Sequence, residues 1–329
     1  MLADLLTQEA LSVLVVSFGI GIVVGLTGMG GGALMTPALI FLGVPPTTAV
    51  ANDLVAASVN KSVGATVHWR HGSPNIRLAT YLVIGSVPFA FLGTFVHKLA
   101  PGDTDHFLKL VLGGALLFAA ASYMFRMYLQ LRLVTGGNEA PEEDPRLKPL
   151  LTIVIGALGG LLVGITSVGS GSVIMIALLM LYPGLSAVRL VGTDLVQAVP
   201  LVLSAALANI AIHGLDWDLL IPLVIGSVPG TLLGARLAPR VPQSFIRRGI
   251  VIVLTMSGLA LLFKAGLHPF GEGHDTLEAI LVGAVGLAML VLVPFGWGLI
   301  RKRSGLPMFG APTVSEIESL MPSRSKDSS

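Results

Sequence analysis

The residues in this chain that can do chemistry fall into two matching sets. One is the stretch Gly25-Leu26-Thr27-Gly28-Met29-Gly30-Gly31-Gly32, followed by Asn52, Asp53, Asn60 and Lys61. The other is Gly164-Ile165-Thr166-Ser167-Val168-Gly169-Ser170-Gly171, followed by Asp194 and Gln197. Glycine is the weakest helix former after proline, so each glycine stretch predicts an unwound loop inside an apolar run. A helix that starts just after such a loop presents free N–H groups and a positive dipole end, which suits an anion. The hydroxyls of Thr27, Thr166, Ser167 and Ser170 add donors. The loop carbonyls, together with Asp53 and Asp194, can instead hold Na⁺ or H⁺. The residues expected to contact substrate are Thr27, Gly28, Gly30, Gly31, Lys61, Thr166, Ser167, Gly169 and Ser170. Asn52, Asp53, Asn60, Asp194 and Gln197 are expected to couple transport or to brace the loops.

Each of these residues also has a plainer reading. A carboxylate inside a bilayer is costly unless it is paired or wetted, so function is its default interpretation. A protonatable pair at Asp53 and Asp194 can couple transport to protons. Either Asp can equally accept hydrogen bonds from the neighbouring loop and act only as a brace. Lys61 lies about two helical turns after Asp53. It can line an anion path, or it can snorkel to the headgroups as long basic side chains do. The second half has no Lys or Arg at the matching position, so its role is asymmetric. Ser170, with His213, allows an intramembrane hydrolase as an alternative. Ser170 aligns with Gly31, however, which points to a need for smallness rather than a nucleophile. His71 and His213 each precede a glycine at a membrane edge. With no cysteine, no His-Glu-x-x-His and no nucleotide phosphate loop, no metal, no cofactor and no enzyme are expected.

The elements that hold these residues are membrane spans. Hydrophobic residues make up 53% of the chain and charged ones only 12%, and several uncharged windows reach the length of about 20 residues that crosses a bilayer. The expected fold class is an all-α polytopic membrane protein made of two homologous halves. Each half has a glycine-broken helix, with half-helices at 11–24 and 33–43 in the first half and a broken segment over 150–181 in the second. Three full spans follow in each: 49–67, 78–96 and 107–128, then 188–212, 219–237 and 245–263. Residues 1–130 form the first repeat, 131–149 a hydrophilic linker, and 150–265 the second repeat. An extra helix within 266–303, at 277–300, has no counterpart, and 304–329 is a polar tail. The repeat extends beyond the loops. Ile84-Gly85-Ser86-Val87-Pro88 matches Ile225-Gly226-Ser227-Val228-Pro229, and Leu92-Gly93 matches Leu233-Gly234.

Bare backbone at membrane depth is tolerated only against protein or a wet cavity. Paired interruptions in two halves point to a transporter's binding site. Lys and Arg mark cytoplasmic loops. Their distribution favours re-entrant hairpins over single crossings for the two broken segments. It puts the N-terminus outside and the C-terminus in the cytoplasm, and three full spans per half then make the repeats inverted. The formal charge of +2 is spread over loop ends and is no nucleic-acid signature. The expected partners are the lipid bilayer of a bacterial-type plasma membrane and a small anion, with H⁺ or Na⁺ as a coupling ion. A homo-oligomer is compatible with the sequence.

The glycine loop and its second copy resemble the sulfite exporter TauE/SafE family of membrane permeases. So do Asn52-Asp53 and Thr193-Asp194, the Gly-Ser-Val-Pro elements and the acidic mid-chain linker. The resemblance covers roughly residues 10–265. It implies an inner-membrane transporter of sulfite, sulfonates or other organosulfur anions. A passive anion channel built from the same loops is the alternative.

Overall fold

The computed structural model describes residues 8–27, 31–70, 74–99, 103–135, 147–185, 187–241, 243–271, 274–303 and 308. The described residues are helical apart from short connections. The helices are α1 (Gln8–Thr27), α2 (Gly32–Phe41), α3 (Pro46–Arg70), α4 (Ile76–Leu99), α5 (Thr104–Thr135) and α6 (Pro149–Thr166). A π-helical turn, Ser170–Ile174, leads into α7 (Met175–Leu181), and α8 (Ala187–His213), α9 (Trp217–Leu237), α10 (Gln243–Lys264) and α11 (Asp275–Arg303) complete the order. Eight of these are long and apolar enough to cross a bilayer, so the chain is an all-α polytopic membrane protein. The 25-residue α3 is also long enough, but Asn52, Asp53, Asn60 and Lys61 make it too polar to be recognised by hydropathy.

The expected half-helices need correction. The helix before the first break is not a short piece over 11–24. It runs 20 residues, Gln8–Thr27, about 30 Å at the α-helical rise. Only the helix after the break is short, at 10 residues. The glycines inside α1 do not weaken it because they serve a different purpose. A Cβ on Gly21 would collide with the carbonyl of Ser227, and one on Gly25 with that of Thr231. They are seats for α9. Small residues allow such close helix approach where lipid gives no hydrophobic drive for association. α5 continues to Thr135, into the stretch expected as the linker.

Helix directions follow from these seats. Gly226, Gly230 and Gly234 meet the carbonyls of Leu14, Phe18 and Ile22 in that order, so α1 and α9 run parallel. Gly156, Gly160 and Gly164 meet the carbonyls of Leu82, Ser86 and Ala90, so α4 and α6 run parallel. Ser86 bonds Gln197, and Asn209 bonds Thr94, so α4 also runs with α8. A short connection at 214–216 turns α8 back into α9. Hence α1 and α6 point in opposite directions. The principal contacts are exchanged between the halves: α1 with α9 and α6 with α4, α3 with α8 at the centre, and α5 with α10. α11 packs on α10 outside this exchange.

Candidate functional site

The two breaks meet in the middle of the bundle. A Cβ on Gly32 would overlap the carbonyl of Ser167, whereas one on Gly31 would find only ordinary contact with Val24. The tight glycine of the first loop is therefore Gly32, not the expected Gly31. Gly28 and Gly30 lie outside the described residues. Neither short helix is capped by a side chain: Gly31 stands before α2 and Gly169 before the π-helical turn, both without a cap bond. Single π-helical turns recur at functional sites. Gly169 has φ 124°, and Ser167 has φ 60°, the one positive value for a non-glycine among the described residues. A left-handed residue with a Cβ costs about 1–2 kcal/mol.

A hydrogen bond across the halves holds Ser167 in that conformation. Its Oγ donates to Oδ2 of Asp53 at 2.8 Å, and Thr36 Oγ1 on α2 donates to the same oxygen at 2.5 Å. Asp53 is buried, and two charge-assisted bonds to hydroxyls offset much of its desolvation. One carboxylate on α3 thus ties α2 of its own half to the break of the other. Asp194 is buried at the matching place on α8 but bonds differently. Its Oδ1 accepts from Gln197 Nε2 at 3.0 Å, and Gln197 Oε1 accepts from Ser86 Oγ at 3.4 Å. On the other side, Asn60 Nδ2 donates to Ser227 Oγ at 3.2 Å. Each motif serine therefore meets an amide on the central helix of the opposite half.

Lys61 does not snorkel. It is 5% exposed, and its Nζ donates to Ser170 Oγ in the second break. Asp53 and Asp194 both act on it electrostatically. A cation, two carboxylates, α2 and the second break therefore share one buried centre. Elsewhere on α3, Asn52 Oδ1 and Asn60 Oδ1 are buried and unpaired.

Thr27 and Thr166 were expected to offer hydroxyl donors. They donate instead to the carbonyls of Val23 and Leu162 in their own helices. Thr166 Oγ1 also accepts from the Val168 N–H, which stiffens the second break. Ser170 and His213 do not come together: His213 is exposed at the last residue of α8, while Ser170 is buried on Lys61. His71 lies outside the described residues.

Three residues near the site were not singled out from sequence. Thr36 carries no signal beyond being a hydroxyl in an apolar helix. Tyr123 Oη on α5 reaches the Gly171 carbonyl at 3.5 Å. Arg126, one turn further along, is buried and acts electrostatically on Asp194. Its charge reads from sequence as a loop marker, but the side chain turns inward.

The profile of the sulfite exporter TauE/SafE family matches residues 13–261. The chain belongs to that family. The match takes in both breaks, both aspartates and Lys61, and it ends before α11. The chain is 39% identical over 260 residues to the probable membrane transporter protein YjnA of Bacillus subtilis, covering 77% of this chain and 100% of that protein. It is 26% identical over 256 residues to the probable membrane transporter protein YdhB of the same organism, covering 76% and 99%. No solved structure matches the chain. This TauE/SafE protein is accordingly a multi-pass membrane transporter and not an enzyme.

Proposed function

We propose that this TauE/SafE protein is a secondary transporter of small oxyanions of the sulfite and organosulfonate class. The observation that carries the reading is the bond from Lys61 to Ser170 where the two breaks meet. A buried ammonium bonded at the uncapped start of the π-helical turn is a place for an anion, since dipole and charge act in the same sense. Ser170 holds the Lys61 ammonium, and the two carboxylates act on it from further away. An entering oxyanion takes the ammonium from Ser170, and the unpaired carbonyl oxygen of Asn60, the neighbouring residue on α3, accepts from its hydroxyl or its bound water. Ser167, Gly169 and Ser170 line this position from one side, and the start of α2 from the other.

The two halves, 1–130 and 150–265, act as inverted repeats that rock about α3 and α8 to expose the site alternately. The opposed directions of α1 and α6 and the exchanged contacts support this reading. Asp53 and Asp194 couple the cycle to protons, because each carboxylate must choose between its hydroxyl or amide partners, Lys61 and a proton. Orientation follows the distribution of basic residues, with the C-terminus in the cytoplasm of a plasma membrane.

Uptake by purified protein in liposomes tests this. With a pH gradient imposed, labelled sulfite should accumulate above its equilibrium level. Relaxation only to equal concentrations on both sides would make the protein a channel instead.

A further inference from the structure

Away from the transport site, α10 carries two adjacent arginines that face different neighbours. Arg247 interacts with Tyr123 and Arg126 on α5. Arg248 lies within electrostatic range of Arg301 on α11, which packs on α10. Arg301 is 1% exposed, yet Nε and both terminal nitrogens have no hydrogen-bond partner. Arg248 Nε is buried and unpaired as well. A guanidinium cannot shed its charge, and buried charges in proteins are paired. Among the described residues no carboxylate bonds either guanidinium, and two neighbouring guanidiniums with empty donors require an anion.

The position indicates which kind. α11 has 29 residues, about 43 Å at the helical rise. It exceeds the hydrocarbon thickness of about 30 Å, so its last turn, with Arg301, reaches headgroup depth. Trp297, one turn earlier, packs with Met127 of α5 and Ile300, and tryptophan favours that same depth. Basic pockets between spans bind anionic headgroups, and the planar fork of arginine matches the oxygens of a phosphate.

We infer that Arg248 and Arg301 form a phosphate-binding site between α10 and α11, separate from the transport site, that takes the headgroup phosphate of an anionic phospholipid or a free phosphate. The site pins α11 to the transporter body. It uses a helix beyond the stretch that the family profile matches.

The test is thermal unfolding of the full-length, delipidated protein in detergent. Separate arms receive short-chain phosphatidylglycerol, short-chain phosphatidylcholine and inorganic phosphate. The lipid source predicts a rise in melting temperature of several degrees with phosphatidylglycerol, none with phosphatidylcholine and little with phosphate. A free-phosphate source predicts the rise with inorganic phosphate alone. Either rise should vanish in Arg301→Met and Arg248→Met and persist in Lys302→Gln/Arg303→Gln, whose side chains are exposed. Native mass spectrometry of the wild type checks the site without any variant, through retention of one phosphate-bearing molecule per chain. No stabilisation in any arm together with no retained molecule would overturn the inference. So would an undiminished rise in a folded Arg248→Met/Arg301→Met protein.

Discussion

Ser167 Oγ donates to Oδ2 of Asp53 at 2.8 Å, joining residues 114 positions apart in the chain. The donor sits in the break of one half and the acceptor in the central helix of the other. Any motion of one half against the other must keep or remake this bond. Asp53→Ala leaves the hydroxyls of Thr36 and Ser167 buried and unpaired, at about 1–3 kcal/mol for each unsatisfied group. The variant should unfold at a clearly lower temperature in detergent, and an unchanged midpoint would mean that the carboxylate braces nothing.

Gly32 and Gly31 separate close approach from mere flexibility. Alanine at Gly32 pushes a Cβ into the Ser167 carbonyl, while alanine at Gly31 makes only ordinary contact with the Val24 side chain. Overpacking of this kind costs about 1–3 kcal/mol, and 1.4 kcal/mol is already about tenfold in an equilibrium. Gly32→Ala should therefore cut sulfite uptake into liposomes about tenfold or more, with Gly31→Ala close to wild type. Equal effects of the two substitutions would place the contact between the breaks elsewhere.

The seats for neighbouring helices should behave as a matched pair. Gly25→Ala drives a Cβ into the Thr231 carbonyl and Gly164→Ala into that of Ala90, whereas Gly19 has open space around it. Both seat variants should lose stability, because neither neighbour can yield without moving its helix. Gly19→Ala should be neutral, or gain up to about 1 kcal/mol from helix propensity. Melting curves of the three proteins decide this, and a tolerated Gly164→Ala would break the correspondence between α1–α9 and α6–α4.

Much of this was legible in the residues themselves. The apolar runs mark the spans, and the two glycine stretches mark the breaks. Asp53 and Asp194 at matching places in α3 and α8 mark the centre. What the residues could not show is what each side chain touches. The glycines of α1 look like helix weakness until Ser227 and Thr231 are seen against them. Arg126 and Arg301 look like headgroup markers, and only the neighbouring helices reveal that both are covered. Thr27 and Thr166 look like substrate donors, but a threonine in a helix readily bonds the carbonyl four residues back. Lys61 reads equally well as a headgroup anchor, and only its contact with Ser170 decides between the two.

Proton coupling is tested by removing the titrating groups singly. Asn in place of Asp53 or Asp194 keeps the size and loses the charge. If either carboxylate carries the coupled proton, its Asn variant should exchange sulfite across the membrane but no longer accumulate it against a gradient. Two variants that both accumulate sulfite normally, with an unchanged dependence on pH, would leave these residues as braces only.

The central claim is that an anion binds at Lys61 between the two breaks, and calorimetric titration of purified protein with sulfite and sulfoacetate tests it most directly. A charge-assisted bond is worth about 1.5–3 kcal/mol, so Lys61→Met should weaken binding of the transported anion roughly ten- to hundredfold, with the fold retained. Unchanged affinity in a folded Lys61→Met protein would contradict the account and move the substrate away from the breaks.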